Sequence, residues 1–185
     1  MDSFLDKIFE KMRSGKIIRY IPADSVVCDI GCGREGDFLK TISNSIKKGI
    51  GFDEKAEDFK TLKYEIKKFR ILENLPLEDG SCDIVTMLAV LEHLSNPQTV
   101  LNESFRVLKK GGKLILTTPT PLAKPILEFL AFKLKMIDRK EIEDHKNYFW
   151  AKDIKKMLLK SGFEENNIKD YFFELFLNNL VIAKK

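Results

Sequence analysis

Three cysteines and two histidines are all that the 185 residues offer of the side chains that most often hold soft metals or exchange protons near neutral pH. Cys28, Cys32 and Cys82 make no paired C-x-x-C units, and an odd count closes no disulfide framework. A structural zinc site of the usual spacing is excluded with them, so no metal is expected. No run approaches the ~18 consecutive apolar residues that a membrane-spanning helix needs. The opening MDSFLDKIFEKMRSGK has no apolar signal core, which makes a cytoplasmic location the expectation. Charge of one sign is not in excess either. Against 28 acidic residues stand 32 basic ones, a net +4, and no nucleic-acid partner is expected from so mild a balance. Repeats and low-complexity linkers are missing too. With 44% apolar and 32% charged residues, the chain reads as one globular domain, 1–185, large enough for a three-layer core.

Short β-branched runs alternate with helical periodicity along most of the length. Residues 3–20 predict an opening helix interrupted near Gly15, with Phe4, Leu5, Ile8, Phe9 and Met12 at helical spacing. SVVCDI reads as a first buried strand, a helix follows over about 37–45, and KKGIGFD is the second strand. KFRILEN gives a weaker third and CDIVTML a fourth. NPQTVLNESFRVLKK is a helix that Gly111-Gly112 should end, and KLILTTP is the fifth strand. Residues 121–146 are helical and irregular, AKDIKKMLLKSGF is a helix closed by Gly162, and the tail predicts two strands turning near Asn178-Asn179. This order indicates an α/β domain with a largely parallel sheet.

The stretch VVCDIGCGREGDF carries the chemistry. Gly31, Gly33 and Gly36 spell G-x-G-x-x-G after a strand and before a helix, where backbone can approach a ligand and free N–H groups face it. Asp53 ends the second strand 20 residues beyond Gly33, a carboxylate able to accept both hydroxyls of a ribose. Asp29 separates the candidate cofactors. Beside a dinucleotide pyrophosphate it would repel, whereas beside a cationic amino-acid end it would attract.

These segments resemble the class I S-adenosylmethionine-dependent methyltransferases, in particular the small-molecule branch of ubiquinone and menaquinone biosynthesis (methyltransferase type 11). VVCDIGCG resembles the first motif, GIGFD the second, LPLEDGSCDIVTMLAVLEHL the third and fourth, and ESFRVLKKGGKLILTTP the helix and strand after them. The resemblance implies a Rossmann-like doubly wound sheet, mostly parallel with an antiparallel C-terminal strand and helices on both faces. It implies S-adenosyl-L-methionine as cofactor and S-adenosyl-L-homocysteine as product. Asp29 would lie near the methionyl ammonium, with Gly31, Cys32 and Gly33 wrapping the methionyl portion. Asp53, with Glu54 beside it, would bind the ribose. Leu72, Glu73, Asn74 and Leu75 would border the adenine, and Leu88 with Ala89 would cover the cofactor. Two positions depart from the family pattern: GCGREG is one residue longer than the common GxGxG, and Ile71 stands where an aspartate is frequent.

Methyl transfer to oxygen calls for a base, and the two histidines are the candidates. His93, in LEHL, either takes a proton or orders the loop before Asn96-Pro97. His145, in DHKNYF, either closes over the acceptor or pins the insertion to the core. Cys82 reads as core, and Cys32 as a small loop residue. The 120–146 insertion is the candidate substrate lid. Ile126, Phe129, Leu130, Leu134 and Ile137 would line one helical face, widened by Leu127, Phe132 and Met136. Lys124, Lys133, Lys135, Arg139 and Lys140 surround them, so 121–140 could lid an apolar acceptor, touch an anionic membrane, or simply face the core. The reading is methyl transfer to a small, apolar or lipid-like acceptor, at oxygen before carbon or nitrogen. A non-catalytic module of the same fold and an NAD-dependent oxidoreductase are the alternatives.

Overall fold

The computed structural model describes residues 4–70, 74–134 and 136–185. Eight strands form one sheet in the order β3-β4-β2-β1-β5-β6-β8-β7. They are β1 (Val26–Ile30), β2 (Lys48–Asp53), β3 (Phe59–Lys60), β4 (Tyr64–Lys68), β5 (Cys82–Leu88), β6 (Leu108–Pro119), β7 (Ile168–Phe173) and β8 (Asn178–Lys184). The centre, β4-β2-β1-β5-β6, is parallel; β3 is antiparallel to β4, and β8 to both β6 and β7.

The helices are α1 (Phe4–Ile17), α2 (Asp37–Ile42), α3 (Pro97–Val107), α4 (Ala123–Glu128), α5 (Arg139–Glu143) and α6 (Ala151–Lys160). They cover both faces, which explains the uninterrupted apolar strands. Cys28, Ile30, Met87 and Leu116 pack with Leu101 of α3 and with Ile154 and Leu158 of α6. Their strand neighbours Val27 and Ile115 pack on the opposite side with Ile17 of α1 and with Phe38, Leu39 and Ile42 of α2. Each such side chain, fully withdrawn from water, contributes roughly 1.5–3 kcal/mol.

Five expectations need correction. The opening helix runs through Gly15 to Ile17 and continues as a 3-10 turn. The third main strand is Tyr64–Lys68, which reaches only the first residue of KFRILEN, whose residues 71–73 lie outside the described residues, and the short β3 joins it. Gly111-Gly112 do not cap α3. That helix ends at Val107, and the glycines lie in β6 where its register against β5 jumps from Cys82–Leu108 to Ile84–Lys113. The C-terminal turn is not at Asn178-Asn179; it is 174–177, where Glu174, Leu175 and Phe176 all hold positive φ. Finally, the insertion is helical and irregular as expected, but the one helical face read across 126–137 is broken. After α4 comes a π turn (Phe129–Lys133), in which Leu134 N–H donates to Phe129 O at 3.2 Å. The chain restarts at α5 with Asp138 accepting from Lys140 N–H.

Candidate active site

The carboxyl ends of the parallel strands converge where an open α/β sheet binds its ligands. The glycine loop is fastened there to the end of β2. Gly31 and Cys32 N–H both donate to Phe52 O, at 2.8 and 3.2 Å. Gly33 N–H donates to Asp53 Oδ2 at 3.0 Å, and Lys55 N–H to Asp53 Oδ1 at 2.7 Å. Gly31 has φ +74°, and a Cβ there would collide with Val90 Cγ2, so the loop packs on the segment after β5. Gly33, at φ +72°, has only open space before it.

Asp29 is 2% exposed and sits opposite Thr86 of β5, whose hydroxyl donates to Asp29 Oδ1 at 2.6 Å. Burial, with the carboxylates of Asp29 and Asp53, pushes the Cys32 thiol well up, so it is no nucleophile. Leu88 ends β5, and Ala89 just after it holds φ +56°, unusual for a side chain with a Cβ. Glu54 points outward and pairs with Arg70 at 3.9 Å. Asn74 is exposed; Leu75 is buried, with both backbone polar groups engaged by α3. Leu72 and Glu73, like Ile71, lie outside the described residues.

The two histidines, distant in sequence, meet. His93 ends a 3-10 turn (Leu91–His93) after β5, and its ring lies 4.8 Å from that of His145, edge to face. Segment 144–147 is zipped onto that turn: Lys146 and Asn147 N–H donate to Glu92 O, Asn147 Nδ2 to Leu94 O, and Lys146 Nζ to Ser95 Oγ. His93 Nδ1 contacts Asp144 O at 3.3 Å, and His145 Nδ1 contacts the Tyr148 hydroxyl at 2.9 Å. Burial lowers the pKa of His93, and burial followed by the neighbouring His93 lowers that of His145 to about 4. Burial therefore favours the neutral form of both rings. Burial, then Glu128 and Glu92, raises the Tyr148 hydroxyl to about 12. Glu92, 1% exposed, accepts from the Thr118 hydroxyl at 3.0 Å. Glu92 and Tyr148, not singled out in the sequence, lie one and three residues from His93 and His145.

The methyltransferase domain family matches residues 2–166. The chain belongs to that family. Its membership removes the oxidoreductase alternative and agrees with the class I resemblance read from the motifs. The methyltransferase is 27% identical over 179 residues to the demethylmenaquinone methyltransferase of Oceanobacillus iheyensis, an alignment that covers 82% of this chain and 74% of that one. It is 24% identical to the ubiquinone biosynthesis O-methyltransferase of Psychrobacter arcticus, over 79% of this chain and 62% of the relative. Among solved structures, a SAM-dependent methyltransferase from Archaeoglobus fulgidus superposes with a TM-score of 0.72 over 98% of both chains at 21% identity, which supports the doubly wound fold.

No helix of the methyltransferase, among the described residues, is long and apolar enough to cross a membrane. The insertion nevertheless leaves Leu122, Ile126, Phe129, Phe132, Leu134 and Met136 between 38% and 54% exposed, beside Lys124, Lys133, Arg139 and Lys140. Lys124 Nζ lies 5.9 Å from the Tyr148 ring centroid, which joins this surface to the histidine pair.

Proposed function

We propose that this methyltransferase methylates an oxygen of a small, apolar, lipid-like acceptor that it meets at an anionic membrane surface. S-adenosylmethionine is the cofactor, and when bound it supplies an electrophilic sulfonium methyl. The residues fit it. The open space before Gly33, beside the Asp53 carboxylate, suits a ribose, and buried Asp29 suits a cationic methionyl end. A pyrophosphate is disfavoured there, since the buried Asp29 carboxylate would repel it.

The observation that carries the acceptor reading is the exposed apolar insertion linked through Lys124 and Tyr148 to His145. In-line displacement at a methyl is governed by positioning and exclusion of water. Leu88 at the end of β5 and Ala89 after it would cover the cofactor, while the paired rings of His93 and His145 would attend the acceptor hydroxyl. An apolar acceptor also agrees with relatives named for demethylmenaquinone and ubiquinone biosynthesis.

Calorimetric titration with S-adenosylmethionine, S-adenosylhomocysteine and NAD tests the cofactor site, repeated with Asp53→Ala. Micromolar binding of the first two, weakened at least about tenfold in the variant by loss of a charge-assisted pair, and no binding of NAD are expected. Binding of NAD alone, or equal affinity in Asp53→Ala, would overturn the assignment.

A further inference from the structure

The geometry points to a divalent transition-metal site made by Glu92, His93 and His145, at which the ion would hold the acceptor oxygen. Among the described residues this is the one group of three potential ligands, with ligand atoms all within 4.8 Å of one another. The inference rests on the methyl-transfer reading and specifies what the histidine pair does in it.

Two imidazoles and one carboxylate are the donor set of open catalytic zinc sites, and imidazole nitrogen favours zinc, cobalt or nickel over magnesium or calcium. Zinc bonds of ~2.1 Å place tetrahedral ligands about 3.4 Å apart, so the side chains need close by no more than roughly 1.4 Å. The supports of a metal site are already built. Nδ1 of His93 contacts the Asp144 carbonyl and Nδ1 of His145 the Tyr148 hydroxyl, contacts of the kind that orient metal-binding imidazoles. The Thr118 hydroxyl steadies the Glu92 carboxylate. The backbone zipper between Glu92 and 146–147 fixes the distance between ligands that come from separate segments. Three protein ligands leave at least one coordination position for an acceptor hydroxyl.

An ion there lowers the pKa of a bound hydroxyl, whose proton leaves to water. The acceptor oxygen then bonds to the methyl carbon as the methyl–sulfonium bond breaks, with its electron pair staying on sulfur. The site selects acceptors whose reacting oxygen can bind a cation, such as phenols with a neighbouring oxygen.

Cobalt(II) is the probe, added to chelator-stripped protein and followed by visible absorption, with zinc(II) followed by calorimetry. One equivalent of each should bind. His93→Ala and His145→Ala should weaken binding by more than the roughly 10- to 100-fold that outer-shell partners contribute, and Tyr148→Phe by about that factor. S-adenosylhomocysteine affinity, measured on every variant, reports whether the fold is intact. No cobalt absorption, or cobalt binding equal in both histidine variants and the parent, overturns the site. Metal binding intact without S-adenosylhomocysteine binding would instead refute the methyl-transfer reading.

Discussion

Arg106→Ala tests how the loop after the expected adenine-binding segment is held. The Arg106 guanidinium donates to both oxygens of Glu103 at 2.9 and 2.8 Å, to Leu75 O at 3.0 Å, to Leu77 O at 2.8 Å and to Asp79 at 2.6 Å. Glu103 in turn accepts from Leu75 N–H at 2.7 Å. One helix residue thus clamps 75–79 through three bonds, while Glu103 grips the same loop from below. Breaking a buried ion pair costs ~3–5 kcal/mol. Here Arg106 is 28% exposed and the Asp79 partner 81% exposed, so water recovers part of that, and about 2–3 kcal/mol is expected. With a urea slope near 2 kcal/mol/M, the midpoint falls by roughly 1–1.5 M. Asp79→Asn, which removes only the exposed arm, should cost less than about 0.5 kcal/mol.

The acid limb gives a second reading of the same clamp. Arg106, against the opposing effect of burial, holds the Glu103 carboxyl below its ordinary pKa, aided by Leu75 N–H. A depressed folded value means the contribution is complete above the unfolded pKa of ~4.3 and is lost as pH falls through the folded one. Arg106→Ala should flatten that slope. A midpoint shift no larger than that of Asp79→Asn, with an unchanged acid limb, would refute the reasoning.

Gly31→Ala combines a left-handed backbone with a collision against Val90, so ~1–3 kcal/mol of destabilisation and a matching loss of S-adenosylhomocysteine affinity are expected in melts and calorimetry. The reading fails if the variant binds as the parent does. For the membrane surface, co-sedimentation should require anionic vesicles and weaken with salt, each lysine near the surface contributing about 1 kcal/mol. Phe129→Ser with Phe132→Ser should abolish it without altering S-adenosylhomocysteine binding; retention on neutral vesicles would argue against the proposal.

Most of the central sheet was legible because its strands are buried on both faces and hence continuously apolar: VVCDI and CDIVTML are strands over almost the residues expected. Near the edge that signal fades. In β4 only Tyr64 and Ile66 are buried, and Glu65 sits among Lys48, Lys60 and Lys67, so the strand looks like a charged loop. Asn179 misled for the opposite reason. It resembles a turn residue, yet it is fully buried and donates to Phe149 O, while the actual turn uses Glu174, Leu175 and Phe176. The approach of the glycine loop to Asp53 could be read from spacing because the two lie on consecutive elements. The meeting of His93 with His145 could not, since it depends on a backbone zipper between segments far apart in the chain.

The insertion of β8 between β6 and β7 has a consequence during synthesis. On the ribosome, β6 emerges with Leu114, Ile115 and Leu116 destined for the core, but its partner β8 is made after every other strand. Until then the nascent chain carries a long apolar strand with one unpaired edge, the feature most prone to capture by another polypeptide. Slower translation over 120–178 is therefore expected to lower the yield of native protein, and a chaperone that shields that edge to raise it.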